Sequence, residues 1–388
     1  SFAIWDNRKK QLFLSRDRMG EKPLVYTIID NSVIFGSEMK SLFEYGVRKT
    51  PMLELLEIYL VTTYIPAPFT FYEGINKLMP GHYIIANSDG IREYKYWDLP
   101  EIDEQNMLTN TKDIYSRFEY LLTDSIKIRM RSDVPYGAFL SGGLDSSSIV
   151  ALMSEISSFP VNTFTIGFDD KNFDESILAN EVAQKFNTAH HLETVTPDNF
   201  DESLKKVVFH YDEPFGDSSA IPTGHISKIA SRKVKMVLTG DGGDEVLSGY
   251  RSYKGLKFIE KYRSIPKPIR YNLPLGIKGI SNIFRGSQRY KLNKIANILE
   301  TANLSYNERW VRKRTYTDIK FIERLTRNIK DVIPIRDYLS DISAQCIYQG
   351  EFYKQMYLNF KFDLPNDYLV KVDRMSMAYS LETRAPFL

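Results

Sequence analysis

Three short segments carry residues whose types and spacing suit chemistry on a phosphate ester. The first is Leu140-Ser-Gly-Gly-Leu-Asp-Ser-Ser-Ser148. Gly142 and Gly143 let backbone N–H groups approach an anion closely, and Ser141, Ser146 and their neighbours add hydroxyl donors. A helix following such a loop presents its positive end to phosphate oxygens. No lysine follows the glycines, so this is not a Walker A loop. Asp145, an acid inside a phosphate cradle, makes sense where it holds a cation such as Mg2+. In the second segment, Ile166-Gly-Phe168, Gly167 lets a flat base lie on the backbone. The third, Thr239-Gly-Asp-Gly-Gly-Asp-Glu245, brings three acids and three glycines into one loop. Asp244 is the natural second Mg2+ ligand. Asp241 would sit nearer a reacting carbon, as base or electrostatic stabiliser.

The elements that must position these loops alternate. Phe118, Leu121, Leu122, Ile126 and Met130 share one helical face, and Asp133-Val134 ends that helix. Strand follows over 136–140, helix over 147–156, strand over 161–168 and helix over 177–186. A helix over 221–230 then leads to a strand over 234–238. This order predicts right-handed crossovers and a mostly parallel, doubly wound α/β sheet, with ligands at the carboxyl ends of its strands. All three segments lie at such ends. Asp212, Glu213, Asp217 and Ser218 follow a helix and either line the same pocket or cap a turn.

Upstream, 1–99 reads as short strands and turns. Strands are expected over 11–14, 33–35 and 82–86, with Asp30-Asn31 as a hairpin signal, while Pro66, Pro68 and Pro80-Gly81 break any helix. Residues 100–110 read as a polar linker. Beyond Tyr250 the pattern is helical to about Met377. Within it, 254–294 holds eleven basic residues against one acid, Glu260, with aromatics interleaved. Such runs are usually solvated faces, with nucleic-acid binding the alternative. His190-His191 point to opposite faces of a strand and find no further ligand at metal spacing.

Over 388 residues, two or three domains are expected, and 43% hydrophobic with 26% charged residues excludes a disordered chain. The net charge of +2 supplies no whole-protein field for nucleic acid or an anionic membrane, so neither is expected as a partner. No apolar run is long enough to span a bilayer. A single cysteine, Cys346, excludes internal disulfides and a cysteine-built metal site; it reads as a core residue and fits a reducing, cytoplasmic setting. The opening Ser-Phe-Ala-Ile-Trp-Asp reads as mid-strand and the ending lacks a cap, so the chain is expected to be a piece of a longer one.

The loop Ser141–Ser147 resembles the pyrophosphate loop of the N-type ATP pyrophosphatases. With Gly240–Glu245 it is similar to the glutamine-hydrolysing asparagine synthetase family. The same family resemblance extends to Asp212-Glu-Pro-Phe-Gly-Asp-Ser218, to Lys371-Val-Asp-Arg-Met-Ser-Met-Ala378 and to Ser380-Leu-Glu-Thr-Arg-Ala-Pro-Phe-Leu388. Phe2-Ala-Ile-Trp-Asp6, Arg16-Asp-Arg-Met-Gly-Glu-Lys-Pro-Leu24 and Gly36-Ser-Glu-Met-Lys40 resemble the latter half of the family's glutaminase domain.

The resemblance implies a partial N-terminal-nucleophile hydrolase α/β/β/α sandwich over 1–99, then a synthetase domain over 100–388. The nucleotide-binding part of that domain would span about 111–250 and the helical part about 251–388. It implies ATP and Mg2+, aspartate, glutamine or ammonia as small-molecule partners, and a homodimer. Leu140, Ile166, Thr239 and Gly240 would contact the nucleotide. Ser141, Gly143, Asp145 and Ser146 would grip pyrophosphate, and Asp241 takes the position tied to forming an acyl-adenylate. Three features depart from the family pattern. Its nucleophilic cysteine, which follows the initiator Met, has no counterpart here. Asp241 stands where many members have Glu, and Val246-Leu-Ser-Gly-Tyr250 replaces the usual Phe-Gly-Gly-Tyr ending. As given, the chain is expected to hydrolyse no glutamine and to lack full synthetase activity.

Overall fold

The structure is a computed structural model. It describes every residue apart from 102–104, 106, 172–173, 196–199, 317 and 349, so part of the expected 100–110 linker lies outside the described residues. Contacts divide the chain into two compact units. One comprises Ser1–Met52, Thr63–Leu247 and Asn359–Leu388, and the other Leu53–Thr62 and Ser248–Leu358.

The first unit contains, in chain order, β1 (Phe2–Asp6), β2 (Gln11–Ser15), β3 (Val25–Ile29), β4 (Ser32–Gly36), β5 (Ile75–Lys77), β6 (His82–Asn87) and β7 (Gly90–Lys95). Then come β8 (Tyr136–Phe139), β9 (Asn162–Phe168), β10 (Ala189–Val195), β11 (Met236–Leu238) and β12 (Glu382–Arg384). The front strands form two antiparallel sheets, β1-β2-β6-β7 and β4-β3-β5. Asp30 and Asn31 adopt φ 46° and 63°, the left-handed values that a two-residue hairpin turn demands. The turn joins β3 to β4, whereas the 11–14 strand pairs with β1 and β6. A two-residue turn can link only the strands directly flanking it, and Val25–Ile29 ends one residue before Asp30. A helix, Met39–Glu44, also forms ahead of the prolines that exclude helices further on.

The last five strands make an all-parallel sheet in the order β10-β9-β8-β11-β12. Apolar residues clad both faces. Ala138, Leu140, Met236 and Leu238 join Leu122, Ile126, Ile149 and Met153 in one core, and Phe164 and Val237 join Ile229, Ala230 and Leu381 in another. Met236, Val237 and Leu238 therefore alternate between the cores, as side chains on a strand buried on both faces must. The buried face of helix Thr111–Arg129 is set by Leu122 and Ile126, leaving Leu121, one residue out of phase, exposed. Strand order reverses between β8 and β11, where a doubly wound sheet opens a crevice.

The second unit is helical. Tyr253, Leu256, Ile259 and Tyr262 from helix Arg251–Arg263 pack on Leu299 and Ala302. Arg263 and Arg309 share the carboxylate of Glu351. Cys346 is half-buried in the turn after helix Ile335–Ala344, with Sγ 3.6 Å from the Tyr348 carbonyl, and is not a core residue. It ends up there because the helix stops before it can turn the thiol inward. Among the described residues, no helix is long and apolar enough to cross a membrane.

Candidate active site

The loops after β8 and β11 flank the crevice, and a cavity of about 500 Å3 opens there. Leu140, Ser141, Gly143, Asp145, Ser146, Ile166, Thr239, Gly240, Asp241 and Asp244 all line it. Gly142, Gly167, Asp217 and Ser218 do not. Gly142 turns at φ +78°, and a Cβ there would lie 2.7 Å from Ala179 N, so this residue packs the loop onto helix Ser176–Lys185. Asp217 and Ser218 also lie outside the lining, where their neighbour Ser219 takes part.

The first loop is held by its own hydroxyls. Ser141 N donates to Ser146 Oγ at 3.2 Å, and Gly143 N donates to Ser141 Oγ at 3.3 Å. Thr165 Oγ1 donates to the Leu140 carbonyl at 2.5 Å, tying β9 to the loop. Gly143 caps helix Leu144–Ile156 with no side-chain acceptor, so the first-turn amides lack the usual capping oxygen and suit an anion.

Opposite, Gly243 begins helix Gly243–Leu247. A Cβ on Gly243 would lie 2.5 Å from Asp145 Cγ and 2.7 Å from Oδ2, so the absence of a side chain is what lets the two loops close on each other. The carboxyl pKa of Asp145 is raised by burial and then by the charge of Asp244, and burial also raises that of Asp244. Two like-charged carboxylates facing one cavity fit a divalent cation. Asp145 and Asp244 are the residues that could hold such an ion; among the described residues no group of three or more His, Cys, Asp or Glu is placed to hold a metal.

Asp241 and Glu175 are the other two acids of the cavity. Burial raises the Asp241 carboxyl pKa, offset in part by a hydrogen bond from the Thr239 side chain and by the charge of Lys371. Lys371 lines the cavity and pairs with Asp217 at 2.9 Å. Although burial opposes it, Lys371 together with hydrogen bonds from Ser219 holds the Asp217 carboxyl below its ordinary pKa. Asp217 thus caps its turn and positions the lysine. Sequence reasoning assigned Lys371 no role. Its only signal was the Lys-Val-Asp-Arg motif, and nothing local tells which of these polar residues faces the crevice.

The rest of that motif points elsewhere. On helix Leu369–Met377, Asp373 and Arg374 lie about 200° and 300° around from Lys371. They pair with Lys22 at 2.8 Å and Glu38 at 3.3 Å. Asp212 likewise pairs with Lys40 at 2.9 Å, and Glu213 pairs with Lys77 and accepts from Phe71 N. These acids bind the front sheets to the parallel-sheet part rather than lining the cavity. Arg16, donating to the carbonyls of Gly20, Lys22 and Leu78, is buried enough to lower its pKa to about 10 and organises the 16–24 loop. His190 meets Thr163 at 2.9 Å, and His191 stacks on Phe164.

A larger cavity, about 610 Å3, lies within the helical unit. Its lining includes Lys294, Arg312 and Lys313 and no carboxylate.

The model of the family described as asparagine synthase matches residues 117–388, and that described as glutamine amidotransferase domain matches 1–97. A putative asparagine synthetase [glutamine-hydrolyzing] 2 of Methanocaldococcus jannaschii is 38% identical over 306 residues, 76% of this chain and 59% of that protein. Asparagine synthetase [glutamine-hydrolyzing] 1 of Bacillus subtilis is 29% identical over 400 residues, 100% of this chain and 60% of that protein. A Penicillium rubens protein described as an amidase is 28% identical over 283 residues, 69% of this chain and 42% of that protein. The chain thus spans about 60% of the length of the first two relatives. The segment that builds the crevice is the segment that the larger family model matches, and the chain belongs to the asparagine synthase family.

Proposed function

We propose that in the whole protein this site uses ATP to activate the side-chain carboxylate of aspartate and passes it to ammonia derived from glutamine, forming asparagine. The observation that carries this reading is the convergence of the Ser141–Asp145 loop, Asp244, Asp241 and Lys371 on one cavity. A carboxylate oxygen attacks the α-phosphorus, the bond to the bridging oxygen breaks, and pyrophosphate leaves. Loop amides and the hydroxyls of Ser141 and Ser146 receive its charge. Asp145 and Asp244 would hold Mg2+, which when bound neutralises phosphate charge. Lys371 stabilises the negative charge at the reacting phosphorus. Ammonia then attacks the acyl carbon of β-aspartyl-AMP, AMP departs with one carboxylate oxygen, and Asp241 takes the proton that the nitrogen sheds. The upward shift in its pKa suits that role.

A second reading keeps the chemistry and changes the acid, amidating a carboxylate other than aspartate. It is favoured by Asp241 in the place of the longer Glu and by the Val246-Leu-Ser-Gly-Tyr250 ending. ATP–pyrophosphate exchange with a panel of carboxylic acids separates the two. Exchange that depends on aspartate supports the first reading, and exchange with another acid alone overturns it.

A further inference from the structure

The basic stretch after Tyr250 is not used by the crevice, and its placement gives it a partner. Between Lys261 and Leu299 there are nine Lys or Arg residues and no acid. Most of them sit on a hairpin of helices Lys267–Ser281 and Gly286–Asn303, held by Ser281 Oγ donating to Asn293 Oδ1 at 2.7 Å. Buried Pro274 and Ser281 mark the inner face of the first helix. On its outer face Ile269, Leu273, Gly276 and Ile280 recur at i, i+4, i+7 and i+11, and all are exposed. The tip adds Ile283 and Tyr290, 79% and 69% exposed, with Phe284 beside them. Arg285, Arg289 and Lys291 surround these side chains, exposed as well. Lys278 is paired with Glu300, but Lys267, Arg285, Lys291 and Lys294 have no ion-pair partner among the described residues.

A periodic row of large aliphatic side chains bordered by uncompensated cations is the pattern of an interfacial amphipathic helix, whereas a solvated face would be polar. We propose that this hairpin docks on the surface of an anionic membrane, with Ile283 and Phe284 entering the acyl boundary and the tip cations resting on lipid phosphates. The 15-residue helix is about 22 Å long, shorter than a bilayer core of about 30 Å, so it lies on the membrane rather than crossing it. The near-neutral net charge conceals this patch because acids elsewhere in the chain cancel it.

Vesicle flotation of the full chain tests the proposal, comparing phosphatidylcholine vesicles with equimolar phosphatidylcholine–phosphatidylglycerol vesicles. The wild type should float with the anionic vesicles and release in high salt. A variant carrying Ile283→Asp and Phe284→Asp should lose at least about ten-fold in partitioning. A variant carrying Arg285→Glu and Arg289→Glu should lose at least about 25-fold, since each surface cation contributes about five-fold. Both variants should unfold at the wild-type temperature, because these side chains lie outside the core. No flotation of the wild type, flotation unchanged in either variant, or binding confined to added duplex RNA or to an acidic protein would overturn the proposal.

Discussion

Replacing Gly243 with alanine is the sharpest perturbation of the crevice. The new Cβ would lie 2.5 Å from Asp145 Cγ, 2.7 Å from Oδ2 and 3.0 Å from Cβ. Carbon atoms in contact sit about 3.5–4.0 Å apart, so the Asp145 carboxyl must retreat by about 1 Å. Because Asp145 Cβ is also crowded, turning the carboxyl alone does not relieve the clash. A displacement of that size at a catalytic group costs about 10²-fold in rate. Stability should fall modestly as well, since overpacking of this kind costs about 1–3 kcal/mol and the first position of a helix gains little from alanine's propensity. The assay is ATP–pyrophosphate exchange across a Mg2+ titration, with urea unfolding in parallel. Gly243→Ala should lose about 10²-fold in exchange and need more Mg2+, with unfolding weakened by no more than about 3 kcal/mol. The control is Gly255→Ala, in a helix interior where a Cβ meets nothing within 4 Å; it should stabilise by up to about 1 kcal/mol and leave exchange intact. If Gly243→Ala retains exchange and Mg2+ dependence within about two-fold, the close approach of the two loops is not what places Asp145.

Lys371→Met should cut exchange by about 10²–10³-fold and move the acidic limb of the pH profile of ammonia-dependent amide formation upward, because the Lys371 charge lowers the Asp241 pKa. Asp217→Asn should do less, raising KM more than it lowers kcat, since the lysine is kept but freed. Lys40→Met strands Asp212, whose side chain is 3% exposed, and should lower unfolding free energy in urea by about 3 kcal/mol. Asp98 is held at a pKa of about 2 in the fold; burial raises it, but hydrogen bonds from Lys361, Lys95 and the Leu99 amide prevail. A depressed carboxyl stabilises above its unfolded value of 3.8 and loses that contribution as pH falls through about 2. Discounted for its partial exposure, this is about 1 kcal/mol, and Lys361→Met should remove most of it in acid titrations followed by circular dichroism.

The parallel sheet was legible because β9 and the helices on either side of it are long enough for their hydrophobic period to show, and because β8 and β11 run into glycine-rich loops. β10 was legible only as the strand carrying His190-His191 and not as a member of the sheet, since Ala-His-His-Leu-Glu-Thr-Val is an edge strand with little apolar signal. Nor was β12, a three-residue strand whose partner β11 lies far away in the chain. In the crevice, the loops after β8 and β11 announced themselves through clustered glycines and acids. Asp212, Glu213 and Asp217 carried the same local appearance as a substrate site. Their partners Lys40, Lys77 and Lys371 are remote in sequence, and only the assembled fold distinguishes a tether from a pocket wall.

Oxygen transfer from substrate to AMP tests the central claim most directly. Aspartate labelled with oxygen-18 in its side-chain carboxylate is incubated with the whole protein, ATP, Mg2+ and ammonia, and the released AMP is analysed by mass spectrometry. Activation through β-aspartyl-AMP predicts one labelled oxygen per AMP, with pyrophosphate unlabelled. Unlabelled AMP, or ADP carrying the reaction's phosphate balance instead, would contradict it.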